Sequence, residues 1–376
     1  QSCATSRTTS FRYRRIVAPG CTGAVITAPG TDTGEIRLGA NLPPESGIRV
    51  PAQDLRDLVE TLFHTVGMRA ADATLMAQLL VATDLRGVFS HGSQQTSGYV
   101  QMIRDGRVNA SPNITEQSTT TTTRVYDGDG GMGHLPSWRA ANFVADTAMA
   151  LGVGAATTGN HFHFGSAGKY SRVAAENDCI GLALSSHRWP RQGTIRTGAT
   201  GASPMSIAIP AGPGVPPLVI DMGTRLLTWS EDLFTQMPFA YFKELGLGAV
   251  THAIGGVLAG IWQPGRMPPV SKWESNQGGF FAAFHIAAFA PVDEFYAEMA
   301  RYVEQCRGLE PFPGHTQAEL PGGIEWRNVT EFERDGIPIS VRHQQLLQDI
   351  AAELGVASPF AHYENTRFGA GSLEKG

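Results

Sequence analysis

The chain is poor in the features that would settle its class at a glance. Its 376 residues include only four cysteines, Cys3, Cys21, Cys179 and Cys306, with no pairing rhythm and no metal-ligand spacing. That excludes a disulfide-stapled scaffold or a zinc ribbon and suits a reducing compartment. Cys179 and Cys306 stand among apolar residues and read as buried thiols. No apolar run approaches the roughly 18 residues of a membrane span. The most apolar window, 245–262, holds five glycines and His252 and reads as a buried helix. Net charge is −5, so the basic footprint expected of a nucleic-acid binder is missing. There is no Gly-x-Ser-x-Gly elbow and no cysteine in a nucleophile setting, which argues against acyl transfer. Asp127–Gly133 lacks the acid spacing and closing Glu of a calcium loop. It also lacks the strand–GxGxxG–helix order of a dinucleotide fingerprint, and it reads as a tight turn.

What is present is a hydrophobic content of 42% with 17% charged residues, enough for a sizeable core. Residues 1–48 differ from the rest: they carry Arg7, Arg12, Arg14 and Arg15 and no acid before Asp32. They read as an extended or leader arm, with organellar transit as one possibility and a cytoplasmic protein as the default. Helical spacing predicts helices over 51–66, 70–85, 137–150, 166–177, 293–307 and 341–354, the last framed by Ser340 and Gly355. Strand signals cover 153–158, 180–185, 205–209, 218–221 and 280–286. The Thr run at 119–123 with Arg124-Val-Tyr reads as one exposed strand. The order predicts an α/β protein: a central α/β cofactor and substrate domain at 111–289, flanked by a helical domain from 49–110 plus 290–363.

Two histidine segments stand out. Ser90-His91-Gly92 follows the second helix, and Asn160-His161-Phe162-His163-Phe164-Gly165 lies between a strand and a helix. Imidazole moves protons near neutral pH, so the pair points to proton transfer on a small polar substrate. Arg86 could grip a substrate carboxylate with two nitrogens, or pair with Asp84 and leave His91 closing a turn. Asn160 could orient a ligand. His161 and His163 alternate and would share a face of an extended chain. Two histidines without a third ligand make no metal site. His134 and His187 are further candidates, as is Asp221 either as partner for a histidine or as a strand-end cap.

Residues 82–92 with Tyr99 and Asp105-Gly106-Arg-Val-Asn resemble the entry signature of the type 2 malate/L-lactate dehydrogenase family. Asp127–Gly133 resembles its glycine turn, and residues 160–165 its second histidine motif, with His161 at a usual Ser. Residues 202–210 and 218–222 resemble its Asn-Pro and Asp-Met strands. Gln277-Gly278, Pro321-Gly322-Gly323 and Asp335–Pro338 resemble its C-terminal part. The resemblance implies a non-Rossmann fold, a homodimer, and hydride exchange between NAD or NADP and a small 2-oxo acid, 2-hydroxy acid or cyclic imino acid. It implies His91 as proton donor and His163 at the substrate, with Ser90, Arg86, Tyr99 and Asn160 around it. It implies Ser185, Ser186, His187, Pro204, Asp221, Arg225, Lys243 and Gly322 near the cofactor. One departure stands out: the family's Thr-Ser pair, Gly-Lys segment and long loop after the Asp-Met strand are replaced by a short connection from Gly223-Thr224-Arg225 to Pro238. Lys243 matches the lysine before the next helix, and Arg225 offers charge in place of the earlier one. Two other readings stay open: an isomerase or lyase using the same histidine pair, and a binding paralogue without turnover.

Overall fold

The computed structural model describes residues 43–189, 193–195, 203–267, 272–273 and 275–369. Residues 1–42 of the leader arm, with Cys3 and Cys21, lie outside the described residues, and the end of the arm as read from sequence, residues 47–48, opens the first described strand. A seven-stranded mixed sheet forms the centre, in the order β2-β3-β4-β8-β5-β6-β7. Its strands are β2 (Thr115–Thr120), β3 (Thr123–Asp127), β4 (Val153–His161), β5 (Cys179–His187), β6 (Pro204–Ile209), β7 (Leu218–Gly223) and β8 (Gln277–His285). β3 and β4 are parallel, and the other neighbouring pairs are antiparallel. The Thr run is therefore a hairpin rather than one strand: Thr120 faces Thr123 across a tight turn.

Ten α-helices occur among the described residues. Early in the chain are α1 (Ala52–Thr65), α2 (Ala70–Leu85), α3 (Thr96–Arg104), α4 (His134–Leu151) and α5 (Gly168–Ala175). Later come α6 (Glu231–Gln236), α7 (Pro238–His252), α8 (Val292–Arg307), α9 (Gly323–Asp335) and α10 (Val341–Glu353). On α1 the buried residues Leu55, Leu58, Val59, Leu62 and Phe63 form the expected stripe. The chain leaves α1 through Gly67 at φ +93°, a conformation glycine adopts at little cost. Ser340 caps α10 by accepting the His343 N–H. A short antiparallel pair, β1 (Gly47–Val50) with β9 (Ile337–Ser340), ties the first described strand to the chain's last third. Four-residue strands carry too little pattern to be read from sequence.

The 245–262 window is half exposed rather than buried. α7 ends at His252 and continues as a wider helical turn, Ala253–Leu258. Its inner side is small and polar: a Cβ at Gly255 would sit 2.9 Å from the Ser185 backbone. Glycine thus lets helix and strand backbones meet, and Val250, Val257 and Leu258 are left outside. Cys179 is buried, which pushes its thiol up to about 11, whereas Cys306 is only half-buried. Among the described residues no helix is long and apolar enough to cross a membrane.

Candidate active site

The two histidine segments meet. His91 and His163 have ring centroids 5.8 Å apart and line one cavity of about 480 Å³. Each is held by its own scaffold. His91 sits in a 3-10 turn, Phe89–His91, just after α2. Asp84, buried in the last turn of α2, accepts the Ser93 N–H through Oδ2 at 2.9 Å and clamps that turn. Gly92 is needed there, because a Cβ would fall 1.8 Å from Asp84 Oδ1. Burial raises the Asp84 carboxyl to about 7, and its bond to Ser93 opposes that. Ser90 Oγ lies 2.9 Å from His91 Nδ1, which fixes the ring and leaves Nε2 for a ligand.

His163 is placed by the glycine turn. Gly133 N–H donates to His163 O, Phe162 N–H to Gly131 O, and Gly130 N–H to Asn160 O. A Cβ at Gly133 would lie 2.4 Å from Phe162 O, so the glycines serve close backbone approach rather than ligand binding. Tyr99, buried on α3, bonds His163 Nδ1 at 2.5 Å. Burial drives the Tyr99 hydroxyl far above its usual range, so it stays protonated and donates; His163 then presents Nε2–H to the cavity. Burial, then the neighbouring His91, lowers His163 to about 3. Burial, then Lys169, lowers His91 as well. Both rings are neutral at pH 7 in the ligand-free site.

The opposite wall comes from strand ends. Gln277, at the start of β8, is in register with His161 at the end of β4 and with His187 at the end of β5. His187, Ser185, Ser186, Pro204 and Asp221 all line the cavity. Both serine hydroxyls are already engaged: Ser185 donates to Gly278 O at 2.7 Å, and Ser186 Oγ lies 2.8 Å from His252 Nδ1. Their contribution to a ligand is surface and shape. Asp221 is half-buried, and the loss of solvent around its carboxyl raises its pKa against the pull of Arg172; it accepts the Gly168 N–H at the start of α5.

Other expected residues lie elsewhere. Arg86 lines a second cavity, of about 520 Å³, and donates to Ala82 O at the end of its own helix. Asp84 and Arg86 thus bond to different partners and do not pair. Burial, then the like charge of Arg172, lowers Arg86 to about 10. Asn160 has φ +52° and donates to Asp127 Oδ1, so it shapes the turn. That twist also separates the neighbouring histidines. His161 faces inward, bonded to Thr158 Oγ1 and Phe162 O, and does not share a face with His163. Arg225 and Lys243 are exposed, and Lys243 stacks over Phe239 at 5.6 Å. Gly322, at φ +97°, lines the second cavity, and a Cβ there would meet Pro217 O at 2.6 Å. Arg172 and Glu325, which the sequence did not single out, line both cavities. Lys169 was also missed: it carries no motif, and only the fold buries it. Among the described residues no cluster of three or more His, Cys, Asp or Glu could hold a metal.

The short connection after β7 is tied down from α7. Glu244 Oε2 accepts both the Leu226 and Leu227 N–H, and Tyr241 OH donates to Thr228 O. A family model described as malate/L-lactate dehydrogenase matches residues 50–231 and 228–348. The chain belongs to the malate/L-lactate dehydrogenase family. Malate dehydrogenase of Pyrococcus abyssi is 26% identical over 353 residues, covering 83% of this chain and 96% of that protein. L-sulfolactate dehydrogenase of Methanocaldococcus jannaschii is 26% identical over 336 residues, covering 80% and 96%. The solved malate dehydrogenase of Pyrococcus horikoshii superposes with a TM-score of 0.72 at 26% identity, covering 84% of this chain and 98% of that one. The two family-model segments overlap at 228–231, within the short connection. The 353-residue comparison exceeds 83% of a 376-residue chain, so the Pyrococcus protein has sequence that this chain lacks. Oxidoreductase chemistry of the dehydrogenase type is thereby established at the level of the family.

Proposed function

We propose that the chain exchanges hydride between NAD(P)H and a small 2-oxo acid, the product being the 2-hydroxy acid, with His91 as proton donor. The observation that carries this reading is the convergence of His91 and His163 in one cavity whose far wall is the strand-end surface of Ser185, Ser186 and His187. Ser185 and Ser186 give that wall small side chains whose hydroxyls are already satisfied by the protein, which suits a flat nicotinamide ring. Met222 and Gly223 continue it toward the short connection. Reduced nicotinamide held against Ser185, Ser186 and His187 would supply the hydride for the carbonyl carbon. His91, protonated at Nε2, gives its proton to the carbonyl oxygen and ends neutral. His163 Nε2–H donates to the same oxygen and holds it, its ring fixed by Tyr99. In the reverse direction neutral His91 takes the hydroxyl proton. A substrate carboxylate beside His91 raises its pKa and favours the protonated donor.

The test begins with binding. Titration with NADH and NADPH, followed by nicotinamide fluorescence, is expected to show saturation with one of them. Absence of binding of either at millimolar concentration refutes the reading. With a turnover assay in hand, His91→Ala should lower kcat at least about 100-fold; a mild effect removes His91 from the role of donor.

A further inference from the structure

Two basic side chains beside the cavity take no part in the step above. Lys169 on α5 and His134 at the start of α4 are both buried. Lys169 Nζ has no hydrogen-bond partner, and neither ring nitrogen of His134 has one. They converge on a single point. A Cβ at Gly165 would stand 2.7 Å from His134 Nε2 and 2.7 Å from Lys169 Nζ. Gly165 itself lines the cavity of His91 and His163.

A cation removed from water without a partner is strongly unfavourable unless an anion completes the site. Neither acid in the neighbourhood bonds Lys169, although Asp84 Oδ1 is itself buried without a hydrogen-bond partner. Asp221 on β7 takes the Gly168 N–H and faces Arg172, and Asp84 on α2 takes the Ser93 N–H. Both act on Lys169 only through space, while the like charge of Arg86 opposes its own. Around it stand His91, His134 and His163, each lowered in part by the ammonium. The N-terminus of α5 is already occupied by Asp221. The two arginines nearby do not serve either: Arg86 faces the second cavity, and Arg172 is drawn to Asp221 and Glu325. Positive charge without a partner on the histidine side thus sits on Lys169.

We propose that Lys169 Nζ and His134 Nε2 form a carboxylate subsite at Gly165, which holds the acid group of the substrate while its C2 oxygen faces His91. A carboxylate has two oxygens in one plane and can accept from both nitrogens at once. Any side chain at 165 would fill the space between the two nitrogens and the cavity. The assignment rests on reading the cavity as a hydroxy-acid site, but its test needs neither nicotinamide nor turnover.

The experiment is a thermal-shift titration of the full chain with malonate near pH 6, with neutral propionamide as control. Wild type should show a saturable rise in Tm with malonate and none with propionamide. Lys169→Met, which keeps the length and shape of the chain, should weaken malonate roughly 10- to 100-fold, the loss expected for one charge-assisted hydrogen bond. His134→Gln, which keeps hydrogen-bonding capacity but not geometry, should weaken it too, and it carries the test should Lys169→Met fail to fold. Wild-type affinity in the folded variants overturns the subsite, and so does the absence of any malonate response in the wild type. Malonate binding without nicotinamide binding would keep the subsite and sink the dehydrogenase reading instead.

Discussion

Lys169→Met should make the ligand-free protein more stable, and the gain should depend on pH in a defined direction. Burial lowers the Lys169 pKa from 10.5 to about 7 in the folded chain. Above pH 10.5 the amine is neutral folded and unfolded, so it carries no penalty. As pH falls from 10.5 to about 7 the unfolded chain takes up the proton while the folded chain resists, and the penalty grows by about 1.4 kcal/mol per unit. Below about pH 7 both forms are charged and the penalty is constant, at most about 5 kcal/mol. Methionine removes it with little change of volume. Part is returned, because Asp221 and Asp84 lose a nearby cation that favours their ionised forms. A net gain of about 2–4 kcal/mol at pH 6 is expected, shrinking toward zero by pH 10. Urea unfolding of wild type and variant at pH 6, 8 and 10 reads this directly, provided the m-values agree. A variant less stable than wild type at pH 6, or a gain that does not shrink at high pH, refutes the reasoning. Malonate should narrow the difference at pH 6, because it supplies the missing partner to the wild type alone.

Other outcomes follow from the same geometry. Tyr99→Phe leaves the buried His163 Nδ1 without its donor, and should cost about 1–3 kcal/mol of stability and lower kcat/KM several-fold, measured by urea unfolding and steady-state rates. Gly92→Ala drives a Cβ into Asp84 Oδ1, and should destabilise by at least about 1–3 kcal/mol and abolish turnover before nicotinamide binding is lost; unchanged turnover would show that the Asp84 clamp does not place His91. Because burial and Lys169 lower the His91 pKa, the rate of 2-oxo acid reduction should fall as pH rises through that depressed value, while hydroxy acid oxidation falls as pH drops through it. Matching pH limbs in the two directions would remove His91 from the proton path.

Much of the fold was legible because its elements carry strong local signals. The stripe on α1, the cap at Ser340 and the short apolar strands β5, β6 and β7 each declare themselves within one window. The β1–β9 pair and α9 did not. The strands are four residues each, and α9 buries only Gly323, Asn328 and Phe332. The Thr run misled because β propensity marks strand residues without marking the turn between two strands. At the site, His91 and His163 were legible as chemistry beside glycine. Arg86 was not, because its sequence position near His91 says nothing about the side of α2 from which its guanidinium leaves. His161 was misread because alternation holds only while the chain stays extended, and Asn160 turns it.

The need for glycine at 92 and 133 comes from packing, since a Cβ there would strike Asp84 and the Phe162 carbonyl. The sequence by itself, through side-chain chemistry alone, marked which groups can move a proton and where the chain turns, because both are local properties. Tertiary structure decided what those groups face. β8, late in the chain, inserts between β4 and β5 and sets Gln277 beside His161 and His187. Helix packing strips the water from Lys169 and His134 and aims both at Gly165. Burial and the proximity of like charges, rather than residue identity, set the protonation states on which the chemistry depends.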